Sequence, residues 1–222
     1  MQTPSLDGLY DKERKYYTVD RPEMLPFFPA SGKTMLDIGC GEGTFGKTVM
    51  DSRQAEVWGI DFDQQSIDVA AGVLSKVFCG DIFQLLDDIP DNYFDAIYFN
   101  DVLEHLVDPY TLLELVRSKL SADGVVVASI PNLRYFRVLA QILFKKDFKY
   151  EKKGVMDETH MRFFTLKSIE RMFSEAGYKV EKVQPMNRSS SFKPKLAQLL
   201  TLGLAGTDIA YTQIAVVARS AG

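Results

Sequence analysis

Four glycines fall within eight consecutive positions of this 222-residue chain, at Gly39, Gly41, Gly43 and Gly46. Two carboxylates, Asp37 and Glu42, are set among them. Glycine permits a tight turn and lets a ligand come close to the backbone, and a helix that starts there adds a positive end. A plain strand-to-helix turn needs fewer glycines than this. The run Gly41 to Gly46 also has the spacing of a dinucleotide fingerprint, with Asp61 at the expected distance downstream. A nicotinamide-dependent oxidoreductase is therefore a rival reading. Charge argues against it, because carboxylates beside the glycines would repel a pyrophosphate and attract a cationic ligand.

Further acids, Asp61, Asp81 and Asp101, each follow a short apolar run. A carboxylate in that place either caps the next helix or accepts hydrogen bonds from a ligand. The chain has two histidines, and both sit among acids: Asp101-Val-Leu-Glu104-His105 and Asp157-Glu158-Thr159-His160. An imidazole titrates near neutral pH, so His105 or His160 is a candidate general base. The alternative is structural, with His105 packed in a helix and His160 bracing a loop.

The elements that must position these groups are legible from periodicity. Apolar runs at 34–38, 56–60, 76–79, 94–99 and 125–130 read as strands, and helical spacing appears at 44–50, 64–74 and 109–120. Asp123-Gly124 reads as a turn before a strand. Strands alternating with helices imply a parallel sheet covered on both faces. Beyond Ile130, residues 133–144 read as a helix. Thr165 caps another that stops at Gly177, and 180–183 and 209–218 are two final strands with an apolar segment, 195–204, between them. The expected fold is α/β and Rossmann-like: a seven-stranded, mostly parallel sheet with helices on both faces and an antiparallel last strand. It is expected as one domain over 1–222, with a lid or helix over 1–30 and a substrate-side insertion over 131–165. Tyr10, Arg14, Tyr16, Tyr17 and Arg21 would form that lid, or only a packing element.

The segment LDIGCGEGTFG resembles motif I of the class I S-adenosylmethionine (SAM) methyltransferases, and the rest of their set follows in order over about residues 30–180. The resemblance implies that Asp37, Gly39, Gly41 and Gly43 cradle SAM. By the same comparison Asp61 holds the ribose hydroxyls, Phe62 lies beside the adenine, Asp81 and Ile82 bind its amino edge, and Asn100 closes a motif that ends at the transferred methyl. The run DVLEHL is similar to segments of ubiquinone-pathway O-methyltransferases and small-RNA 2'-O-methyltransferases. That similarity implies a divalent cation such as Mg held by Asp101, Glu104, His105 and His160, although Asp101 is one methylene shorter than the glutamate of those families. A metal-free reading keeps Asp101, His105 and His160 as catalytic groups. Ser129-Ile-Pro-Asn132 and the stretch 154–178 resemble a bacterial branch associated with polysaccharide biosynthesis, which implies O-methylation of a glycan-type or other small acceptor. A SAM-binding module without catalysis is the non-enzymatic alternative.

Arg134, Arg137, Lys145, Lys146, Lys149, Lys152 and Lys153 crowd the insertion, with Tyr135, Phe136, Phe144, Phe148 and Tyr150 between them. Most such lysines form solvated faces, but cations beside rings also suit a phosphate-bearing sugar. The net charge of −4 argues against a nucleic-acid partner. Cys40 and Cys79 form no disulfide pattern, and neither a secretion signal nor a membrane-spanning run is apparent. A cytoplasmic protein is expected, and composition leaves its oligomeric state open.

Overall fold

The computed structural model describes residues 20–221. Tyr10, Arg14, Tyr16 and Tyr17 of the expected lid lie outside the described residues. Arg21 lies within them, 3.7 Å from Glu23. It precedes a 3-10 turn, Pro22–Phe27, whose Met24 is buried and accepts a hydrogen bond from the Tyr98 hydroxyl.

In chain order the main elements are β1 (Thr34–Ile38), α1 (Thr44–Arg53), β2 (Glu56–Asp61), α2 (Gln64–Ala70), β3 (Lys76–Cys79), α3 (Ile82–Leu85) and β4 (Phe94–Asn100). There follow α4 (Pro109–Val116), β5 (Leu120–Pro131), α5 (Phe136–Lys145), α6 (Leu166–Glu175), β6 (Tyr178–Arg188), α7 (Lys193–Leu200) and β7 (Tyr211–Ser220). The strands form one sheet in the order β3-β2-β1-β4-β5-β7-β6. Strand β1 runs parallel to both β2 and β4, and β2 runs parallel to β3. The pair β6–β7 is antiparallel. The expected mixed, mostly parallel seven-stranded sheet is thus present. Its inner strands are buried almost throughout, as continuous apolar runs require.

Backbone contacts divide the chain into two compact units. One runs to Asn100 and includes Glu114–Val127, so it holds β1 to β4, their helices and the start of β5. Its centre is a dense layer around Tyr98, Phe94 and Phe99, all fully buried. Gly46 and Gly59 allow α1 to lie close on β2: a Cβ on Gly59 would sit 2.7 Å from both the Cys40 sulfur and Leu74. Gly59→Ala is expected to lower stability by about 1–3 kcal/mol, because a packed core cannot absorb the extra methyl. Thermal melting would read the loss, and an unchanged midpoint would mean the layer is looser than described.

The second unit comprises Asp101–Leu113 and the chain from Ala128 onward. Thr165 caps α6 as expected, accepting the Ser168 N–H while Ser168 accepts the Thr165 N–H. Within this unit the Tyr178 hydroxyl donates to the Leu113 carbonyl at 2.7 Å.

Three local expectations are corrected. Helix α2 ends at Ala70 rather than Leu74, because Gly72 follows within the next turn. Residues 117–119 tighten into a 3-10 turn and Leu120 already belongs to β5. Asp123-Gly124 is not a turn but part of β5, where a Cβ on Gly124 would lie 2.6 Å from the Phe94 carbonyl oxygen. That glycine serves close strand approach.

Candidate functional site

Two clusters carry the chemically competent residues, and each lies within one unit. The first surrounds the glycine turn between β1 and α1. Gly39, Gly41 and Gly43 have φ of 78°, 53° and 79°, conformations that disfavour a side chain, and Gly43 is the N-cap of α1. The turn is tied to the end of β2. The Gly39 and Cys40 N–H groups donate to the Ile60 carbonyl, and the Gly41 N–H donates to Oδ2 of Asp61 at 2.8 Å. Gly43 N–H donates to the Cys40 carbonyl. Four amides that a pyrophosphate would require are therefore already engaged, which weighs against a dinucleotide.

Asp61 does not cap α2. That role belongs to Asp63, which accepts the Ser66 N–H. Asp61 instead accepts Gly41 N–H on one oxygen and Asp63 N–H, at 3.0 Å, on the other. Its pKa is raised, chiefly by burial, an effect these N–H donors only partly offset. Beside it Phe62 is 64% exposed, a large apolar ring presented to solvent at a strand end.

Asp37 is buried to 2% exposure, and its carboxyl is pushed up to about 8, first by burial and then by the charge of Asp61. Its Oδ1 has no hydrogen-bond partner among the described residues, and neither do Oδ1 and Nδ2 of Asn100. A buried polar atom left unsatisfied costs about 1–3 kcal/mol. The cradle therefore carries polar atoms suited to a small polar ligand. Asp81 caps α3 by accepting the Phe83 N–H at 3.0 Å, and Ile82 is buried.

The second cluster brings Glu104, His105 and His160 together, with one ligand atom of each within 4.8 Å of the others. Glu104 is 1% exposed, and its Oε1 lies 3.9 Å from Nε2 of His160. The two imidazoles meet edge to face at 4.9 Å. His160 Nδ1 lies 3.1 Å from the Val155 carbonyl, and His105 Nδ1 lies 3.1 Å from the Thr159 carbonyl. A carbonyl can only accept, so each Nδ1 carries a proton, and the tautomer of either ring that fits this contact has its lone pair on Nε2. The loop itself is fixed by Met161 and Arg162 N–H groups donating to the Glu104 carbonyl.

Asp101 is not part of this trio. It adopts φ of 56°, and its carboxylate accepts Nε2 of Gln213, at 2.7 and 3.0 Å, and the Ser129 hydroxyl at 3.2 Å. Gln213 lies 112 positions away and no local signal pointed to it. Three further residues were missed. Thr159 orders His105, Asp157 accepts the Thr159 hydroxyl at 2.7 Å, and Phe163 stands 6.1 Å from His160. Phe148, Tyr150 and Phe163 form one group of rings, with centroids 5.4 to 6.0 Å apart. Of the crowded cations, Arg134 is committed to Asp208 and the Ala205 carbonyl, and Lys152 to Glu158. Lys145, Lys146, Lys149 and Lys153 are exposed.

Residues 10–183 match the family model described as a methyltransferase domain. A protein of Haemophilus influenzae with no described function is 28% identical over 122 residues, covering 50% of this chain and 47% of that protein. The ubiquinone biosynthesis O-methyltransferase of Chromobacterium violaceum is 29% identical over 164 residues, covering 70% and 68%. The match therefore spans from about half to two thirds of these curated relatives' own length. Among solved structures, a SAM-dependent methyltransferase from Archaeoglobus fulgidus superposes with a TM-score of 0.70 at 18% identity, over 97% of this chain and 98% of that one. That last likeness speaks for the fold alone.

Proposed function

The chain belongs to the SAM-dependent methyltransferase family, and from that membership we propose that it methylates a hydroxyl oxygen of a small-molecule or glycan-type acceptor. The observation that carries the cofactor side is the glycine turn with its buried, unsatisfied Asp37 Oδ1 and Asn100 amide. Asp37 pairs with the cofactor's ammonium, Asp61 accepts its ribose hydroxyls, and Phe62 covers the adenine, with Asp81 and Ile82 at the adenine edge. When bound, SAM supplies an electrophilic methyl on a cationic sulfur. The protein's task is then to position the acceptor, exclude water and take up the hydroxyl proton.

Glu104, His105 and His160 are the groups suited to that proton. Two imidazole nitrogens and a carboxylate also form a donor set for a divalent cation, which would acidify a bound hydroxyl; this set suits Zn or Fe better than the Mg expected from the sequence. Phe163 beside His160, with Phe148 and Tyr150 packed against it, offers flat apolar faces suited to a sugar ring or an aromatic acceptor. The relative from Chromobacterium supports oxygen as the methylated atom.

Calorimetry tests the cofactor assignment through Asp37. A carboxyl held at about 8 is protonated at pH 7, and pairing with an ammonium favours the ionised form. Binding of SAM at pH 7 is thus expected to release close to one proton, seen by comparing buffers of different ionisation heat. Asp37→Asn should abolish that release. No heat with either SAM or its demethylated product would end the reading.

A further inference from the structure

The segment from Phe192 to Leu204 turns its apolar side chains outward. Phe192, Leu196, Leu199, Leu200, Leu202 and Leu204 are between 45% and 92% exposed. Single exposed leucines are ordinary, but six large apolar side chains within thirteen residues form a patch that calls for a partner.

Hydrogen bonds hold this arrangement in place. Gly203 N–H donates to the Gln198 carbonyl, Leu204 N–H to Thr201, and Ala205 N–H to the Thr201 hydroxyl. The Gln198 side chain donates to the Gly206 carbonyl, and Arg134 anchors the Ala205 carbonyl. Leu202 adopts φ of 50°, unfavourable for a leucine, and is 92% exposed there. The backbone polar groups are satisfied inward while Leu202 and Leu204 point out.

Charge identifies the occupant. Between residues 182 and 207 the chain carries Lys182, Arg188, Lys193 and Lys195 and no acid, although its net charge is −4. Residues of α7 and of the strands beside it, Lys195, Gln198, Arg188 and Tyr211, together with the hydroxyl-bearing Ser189, Ser191 and Thr207, line a cavity of about 150 Å³. Cations and hydroxyls around a small hollow suit a phosphate group. A cationic, hydroxyl-lined pocket and exposed leucines on the same segment match the headgroup and acyl boundary of a phospholipid. A second copy of this chain would set these lysines against themselves across a two-fold axis, which is unfavourable. No helix among the described residues is long and apolar enough to cross a membrane, so the contact would be superficial.

We propose that the segment from Arg188 to Thr207 docks on an anionic phospholipid surface, with Leu199, Leu200, Leu202 and Leu204 entering the acyl boundary and the Arg188–Lys195 pocket receiving a headgroup phosphate. This inference does not depend on the methyl-transfer reading, because its test requires no cofactor. The full chain is sedimented with vesicles of phosphatidylcholine alone and with vesicles containing roughly a third phosphatidylglycerol. The protein pellets with the anionic vesicles, stays in solution with the neutral ones, and is released by salt. Leu202→Asp with Leu204→Asp weakens partition about tenfold or more, with thermal midpoint unchanged because both side chains are already in solvent. Lys193→Gln with Lys195→Gln weakens it roughly twentyfold. Protein that remains in solution with anionic vesicles overturns the proposal. So does a dimer in light scattering that Leu202→Asp dissociates without any vesicle binding, since the patch would then join two copies.

Discussion

Replacing Asp61 by alanine is expected to weaken SAM binding by about a hundredfold. Its two oxygens accept the N–H groups of Gly41 and Asp63, so one side chain fixes both the glycine turn and the entry to α2. Removing it leaves both donors without their acceptor and also deletes the acceptors proposed for the ribose hydroxyls. Hydrogen bonds to a charged group contribute about 1.5–3 kcal/mol each, so loss of one or two accounts for that factor. Asp61→Asn separates the two roles. Its single amide oxygen can keep the Gly41 contact, and the loss should fall to about tenfold. Titration calorimetry reads both variants. Affinity within a few-fold of the parent in Asp61→Ala would confine this residue to bracing the turn.

The second large effect concerns Glu104 and His160. Glu104→Gln and His160→Ala are each expected to reduce methyl transfer by about a thousandfold, within the usual range for a lost acid–base group. Affinity for SAM should stay unchanged, because neither residue is among those proposed to hold the cofactor. Glu104→Gln is nearly isosteric, so a fold defect is not expected, and its melting temperature checks that. Excess chelator distinguishes the two chemistries. If a divalent cation is held by the trio, chelation silences the parent enzyme and one of Mg, Zn or Fe added back restores it. If an imidazole alone takes the proton, activity persists in chelator. Full activity of both variants would remove the trio from the reaction.

The second cluster settles a point that spacing alone left ambiguous. The sequence offered four candidate ligands, and three of them converge. Asp101 precedes Glu104 by less than one helical turn, yet its positive φ turns its carboxylate to Gln213 and Ser129.

What the amino-acid order determined by itself is the local part: the alternation of buried strands and helices, the glycine turn after β1, and the Thr165 cap. Those features depend on neighbours within a few residues, through backbone preference and apolar period, so they are legible without the fold. The tertiary structure alone decided which groups meet. His105 reaches Thr159 from 54 positions away, Asp101 reaches Gln213 from 112, and the leucines after α7 face outward because distant polar groups such as Arg134 hold the loop. Such meetings are set by packing and long-range hydrogen bonds, which leave no periodic trace in the chain.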